Sequence, residues 1–89
     1  MGFEWDETKR RINIADHGLD FLRAIDIFDG RPTCTYHSPR RGEDRWATVG
    51  EIEGRLFVVA WTWRGNNRRI ISAYPADTSD ERKYRALHG

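Results

Sequence analysis

Residues 3–30 change period twice. Phe3-Glu4-Trp5 alternates apolar and polar positions, which suits a short edge strand. From Asp6 the pattern becomes helical. Asp6 is a side-chain N-cap, Glu7 sits at the positive end of the helix dipole, and Gly18 after His17 is a left-handed terminator. On this helix Trp5, Thr8, Ile12 and Ala15 form the stripe expected to face the core, with Lys9, Asn13 and His17 as the stripe beside it. Asp20 opens a second helix with Phe21, Leu22, Ile25 and Phe28 as its expected buried stripe, closed by Asp29-Gly30 and Pro32.

After Pro32 the texture is that of strands. Thr33-Cys34-Thr35-Tyr36 is β-prone, and Ser38-Pro39-Arg40-Arg41-Gly42 is a polar loop. Residues 45–52 and 55–63 read as a hairpin around the tight turn Glu53-Gly54. The run Leu56-Phe57-Val58-Val59-Ala60-Trp61 lacks alternation, as expected of a central strand covered on both faces. Arg64-Gly65-Asn66-Asn67 makes the next turn, and residues 68–74 form a last strand ended by Pro75. Thr78-x-x-Glu81 reads as the capping box of a final helix with Tyr84 and Leu87 on one side. The expected fold is α+β: two N-terminal helices, an antiparallel β-meander of about four strands and a C-terminal helix, with the helices on one sheet face.

A chain of 89 residues has room for one domain, spanning 1–89. Its content of 38% hydrophobic and 12% aromatic residues excludes a disordered chain. The longest apolar stretch, 56–63, is too short to cross a bilayer, so no membrane partner is expected. Acidic residues stand where a secretory signal would have its basic segment, which points to the cytoplasm. The lone Cys34 rules out an internal disulfide, a zinc cluster of cysteines and a Cys-x-x-Cys redox pair.

The net charge of +1 conceals an uneven distribution. Residues 1–30 carry four basic and seven acidic side chains, whereas residues 31–76 carry eight basic, all arginine, and four acidic. Arginine suits bidentate grips on phosphate. A genome rich in arginine codons would give the same bias, so the composition permits a nucleic-acid role without establishing one. Strict alternation in the last strand places Arg69, Ile71 and Ala73 on one face and Arg68, Ile70, Ser72 and Tyr74 on the other. A row of arginine, serine and tyrosine fits either a phosphodiester or bulk solvent. Lys9 and His17 fit either a proton shuttle and anion clamp or a solvated helix face with His17 capping carbonyls. Trp46, Trp61, Trp63 and Tyr36 fit either base-stacking platforms or core. No metal-ligand spacing, Gly-rich phosphate loop, nucleophile elbow or cofactor motif is present. Cleavage of RNA needs none of these, because RNA carries its own 2′-hydroxyl nucleophile.

One ordered set of motifs runs through the chain: Phe3-x-Trp5-Asp6-x-x-Lys9, Asn13, His17-Gly18, Phe21, Ala24, Phe28-Asp29, Arg45, Gly50, Gly54-Arg55-Leu56, Arg69-Ile70-Ile71-Ser72-Ala73 and Glu81-Arg82-x-Tyr84. In these the chain resembles the BrnT toxins of bacterial type II toxin–antitoxin systems. The resemblance implies a RelE-like fold and a metal-independent ribonuclease that slows translation. It also implies a BrnA-like ribbon-helix-helix antitoxin, through which alone the complex would touch operator DNA. Lys9 and His17 would then serve acid–base chemistry or phosphate contact, and Arg45 and Arg69 would contact phosphate and transition state. Tyr84 or Tyr74 would orient the substrate, and Arg64, Arg68, Ser72 and Tyr74 would bind RNA. The chain departs from the family where Tyr74-Pro75 stand in place of two arginines and Asp16 in place of a lysine, which lowers positive charge. A toxin-like module that binds antitoxin or RNA without cutting is the second expectation. A small aromatic-rich domain also invites a protein cover, and a dimeric antitoxin predicts a 2:2 heterotetramer with an apolar interface.

Overall fold

In the computed structural model, which describes residues 2–89, strand β1 (Phe3–Trp5) precedes helix α1 (Glu7–His17). Asp6 opens α1 by accepting from the Thr8 and Lys9 N–H groups at 2.8 and 3.2 Å, and Gly18 closes it at φ 67°. Helix α2 (Phe21–Ala24) is a single α-turn capped by Asp20 and continued by a 3₁₀ turn, Ile25–Phe28. Its buried positions are Phe21, Ala24 and Ile27, and Leu22 is 55% exposed, contrary to the expected stripe. The tighter winding explains this, since 3₁₀ geometry brings every third residue to one face.

Four strands, β2 (Thr33–His37), β3 (Trp46–Ile52), β4 (Arg55–Arg64) and β5 (Asn67–Pro75), form an antiparallel meander. Glu53 and Gly54, at φ 51° and 82°, supply the left-handed pair that a two-residue hairpin requires. β1 adds a fifth strand by pairing parallel to β5 through residues 68–70, giving the order β1-β5-β4-β3-β2. The expected two helices followed by about four strands therefore become strand, helices, four strands and helix.

The sheet is covered on both faces rather than one. Phe21, Ala24 and Ile27 pack on Phe57, Val59, Trp61, Ile70 and Ala73. On the opposite face α3 (Thr78–His88) sets Tyr84 against Cys34, Ala47, Val49 and Val58. The capping box of α3 is formed by Asp77 and Asp80, not Thr78 and Glu81, with Asp80 N–H donating to Asp77 Oδ1 at 2.8 Å. Leu87 is 65% exposed, so only Tyr84 of the expected pair is buried.

Helix α1 lies along the part of β5 that β1 leaves uncovered. Asn13 Oδ1 accepts from the Ala73 N–H at 3.0 Å, and Asn13 Nδ2 donates to Leu19 O at 2.8 Å. Asn13 is buried while Ile12 is 53% exposed, so these two residues exchange the places expected of them. A sheet edge presents backbone N–H groups that need an acceptor when water is excluded, so the polar residue wins the buried position.

Candidate functional site

The two arginines of β5 do not sit where strict alternation puts them. Ala60 pairs with Ser72 but Trp61 pairs with Ile70, which leaves Ile71 as a bulge. As a result Arg69, Ser72 and Tyr74 share the α3 face, and Arg68, Ile70 and Ala73 share the other. Arg68 lies with its guanidinium 4.6, 4.9 and 5.0 Å from the rings of Phe28, Trp61 and Trp63.

Helix α3 covers only one end of its face. At the open end, bordered by α1, two adjoining concavities share Arg45 and Ile71. The larger, about 320 Å³, is lined by Lys9, Glu43, Arg45, Thr62, Arg64 and Arg69, among others. The smaller, about 220 Å³, includes Ser38, Arg40, Ala47, Ala60, Ser72 and Tyr74. Four segments thus contribute cations to one cleft: α1, the loop leading into β3, the end of β4, and β5.

Two carboxylates fix the arginines within it. Arg69 Nη1 donates to Glu4 Oε2 at 2.8 Å, and Arg45 Nε donates to Glu43 Oε1 at 3.1 Å. The hydrogen bond from Arg69 holds the Glu4 carboxyl below its ordinary pKa. The segment carrying Arg40 and Arg45 is itself a small hairpin: Arg40 and Glu43 exchange backbone bonds at 3.0 and 2.8 Å around Arg41 and Gly42, both at positive φ. Thr62 Oγ1 ties this segment to β4 through Asp44 O at 2.6 Å. On the α1 side the His17 ring lies 6.2 Å from that of Tyr74. Burial, and next the charge of Asp80, push the Tyr74 phenol above its ordinary pKa, so at neutral pH it is a hydrogen-bond donor and not a base. Among the described residues no three His, Cys, Asp or Glu side chains are grouped to hold a metal ion.

This arrangement gathers positive charge on a shallow, open surface, with Glu4 and Glu43 bonded to Arg69 and Arg45. Such a surface suits a polyanion. Residues 5–80 match the family described as "Ribonuclease toxin, BrnT, of type II toxin-antitoxin system". The chain belongs to the BrnT family. A comparison with curated proteins gives no match. The BrnT span runs from Trp5 to the first turn of α3 and takes in every residue lining the cleft. Membership of a type II system implies an antitoxin partner. No described helix is long and apolar enough to cross a membrane.

Of the residues singled out from the sequence, this BrnT chain brings Lys9, Arg45, Arg64 and Arg69 into the larger concavity and Ser72 and Tyr74 into the smaller, with His17 beside Tyr74. Arg68 lies across the sheet. Tyr84 lies beneath α3, away from both concavities. Trp61 is core, and Trp63, 43% exposed, carries the Arg68 guanidinium on its ring and also lines the larger concavity. Ser38, Arg40 and Glu4 were not anticipated. The Arg41-Gly42 turn was a usable signal for the first two. Glu4 had none, because its place beside Arg69 follows from a parallel pairing across most of the chain.

Proposed function

We propose that the chain is a metal-independent endoribonuclease toxin that cuts RNA in the cleft between α1 and the open end of the sheet. The observation that carries this reading is the convergence of Lys9, Arg45, Arg64 and Arg69 on one concavity, with Glu4 and Glu43 bonded to two of them. In the reaction the 2′-oxygen attacks the adjacent phosphorus and the bond from phosphorus to the 5′-oxygen breaks. One proton leaves the 2′-hydroxyl and one reaches the departing 5′-oxygen. Arg45, Arg64 and Arg69 offset the charge of the pentacoordinate transition state, which is where fixed donors act most strongly. Lys9 and His17 supply the proton transfers, and Tyr74 donates to the substrate. Arg68 and Tyr84 serve the fold in this scheme. RNA cleavage would slow translation in the cytoplasm.

The single domain would adopt a RelE-like fold, and a BrnA-like ribbon-helix-helix antitoxin would neutralise it in a 2:2 heterotetramer and alone contact operator DNA. Phe3 and Trp63, exposed apolar side chains at the edge of the sheet, favour an apolar cover there. The test is cleavage of a defined RNA by purified protein in chelator. Arg69→Ala is expected to lower the rate about 100-fold without unfolding, whereas Arg68→Ala keeps cleavage. Intact RNA with folded wild-type protein, or equal losses in both variants, would overturn it.

A toxin-like binding module is the second reading, favoured by the uncharged Tyr74 within the cleft. On that reading wild-type protein binds RNA without cutting, and Tyr74→Arg with Pro75→Arg restores cleavage.

A further inference from the structure

We propose that the smaller concavity holds one unstacked nucleobase of the RNA strand whose phosphate lies in the larger. The inference rests on the ribonuclease reading and names the part of the substrate that its second half takes. Ala47, Ala60 and Ser72 are cross-strand neighbours on β3, β4 and β5. Ala47 is buried, while Ala60 and Ser72 are partly exposed beside it, so adjacent strands about 4.8 Å apart present a low floor of small side chains. Such a floor lets the face of a planar ring approach. The hydroxyls of Ser38, Ser72 and Tyr74 stand around it, and the protonated Tyr74 phenol can donate to a carbonyl or ring nitrogen on the base edge. Arg45 bounds both concavities, so a phosphate on one side and its own nucleoside on the other fit a single continuous strand. Unstacked bases read at their edges are the usual basis of sequence preference among RNA-binding surfaces. A cleft built for phosphate alone needs no floor of small side chains beside its cations.

Binding of a non-cleavable 2′-deoxy trinucleotide, with or without its central base, tests the assignment. Wild-type protein is expected to bind the complete strand about tenfold tighter than the abasic one. Ala60→Leu fills the space above this floor from a half-exposed position and should reduce binding of the complete strand to the abasic value while leaving the abasic strand unchanged. Tyr74→Phe keeps the ring, removes the donor and should flatten discrimination among the four central bases. Arg69→Ala should weaken both strands alike. If Arg69→Ala weakens both strands but wild-type protein does not distinguish them, the base site is overturned and RNA binding in the cleft stands. If neither strand binds the wild type while RNA is still cut, the base site alone is overturned; if RNA also stays intact, the ribonuclease reading fails and the base site with it. A base preference that survives both Ala60→Leu and Tyr74→Phe also overturns the assignment, and the second variant keeps the test decisive should the first not fold.

Discussion

Asn13 joins two elements through hydrogen bonds made in a buried place, one to Leu19 O and one from the Ala73 N–H. Removing its amide leaves both partners unsatisfied, and each such group costs about 1–3 kcal/mol. Asn13→Ala is expected to lower the unfolding free energy by about 3 kcal/mol in urea titrations. It should also loosen α1, so that the nuclear Overhauser effect between the His17 and Tyr74 rings disappears. Ile27→Ala, a destabilising change in the core of the opposite sheet face, should leave that effect in place. Persistence of the His17–Tyr74 contact in Asn13→Ala would show that something else holds the helix. At this scale the sequence was half legible. Lys9, Asn13 and His17 could be read as one stripe from their spacing. That Asn13 faces the sheet could not, because hydropathy counts it against burial and carries no record of an unpaired strand edge.

The bulge in β5 matters at the level of elements. On one side, β1 is paired with residues 68–70; further along, Asn13 holds Ala73. Ile71 sets the distance between these two attachments. Deleting Ile71 would leave regular pairing with β4 but shorten β5 by about 3.3 Å between the attachments, so that β1 and α1 cannot both stay docked. The expected outcome is a retained β-sheet signature in circular dichroism, lowered stability and loss of RNA cleavage. Unchanged cleavage would refute this account of how α1 is positioned. The elements themselves were largely readable, because Asp6, Gly18, Asp20 and the Glu53-Gly54 turn each announce a boundary by local chemistry. The bulge was not. Period-two reasoning assumes one residue per pleat, and nothing in Arg69-Ile70-Ile71-Ser72 marks the extra one.

At the scale of the whole molecule, charge determines the response to solution conditions. Asp29 is held at about 2 by Arg31 hydrogen bonds, and Glu4, Glu7, Asp20 and Asp77 are also below their ordinary values. Carboxyls depressed in the folded state add stability above the unfolded range near 4, and this is lost as pH falls toward about 2. Tyr36 and Tyr74 are raised by burial, so stability should also fall above about pH 10, where only the unfolded phenols ionise. A urea midpoint flat between these limits and lower at both ends is the expected profile. An acid limb absent down to about pH 2 would contradict it. RNA affinity should fall with salt at a log–log slope of about −2 to −3, given roughly 0.7 per phosphate contact from Lys9, Arg45, Arg64 and Arg69. Arg64→Ala should reduce the slope by about 0.7.

The pairing of β1 with β5 also orders events during synthesis. Glu4 meets Arg69 and Asn13 meets Ala73 across separations of 65 and 60 residues. Chains emerge N-terminus first. The meander can therefore begin to form from its local hairpins while the first strand and helix wait for their partner. Lys9 has no cleft to enter until β5 has left the ribosome. A nascent or prematurely terminated chain ending before residue 69 lacks the assembled site altogether. The hazard to the cell producing it is thus confined to the finished polypeptide, in the interval between release and capture by the antitoxin.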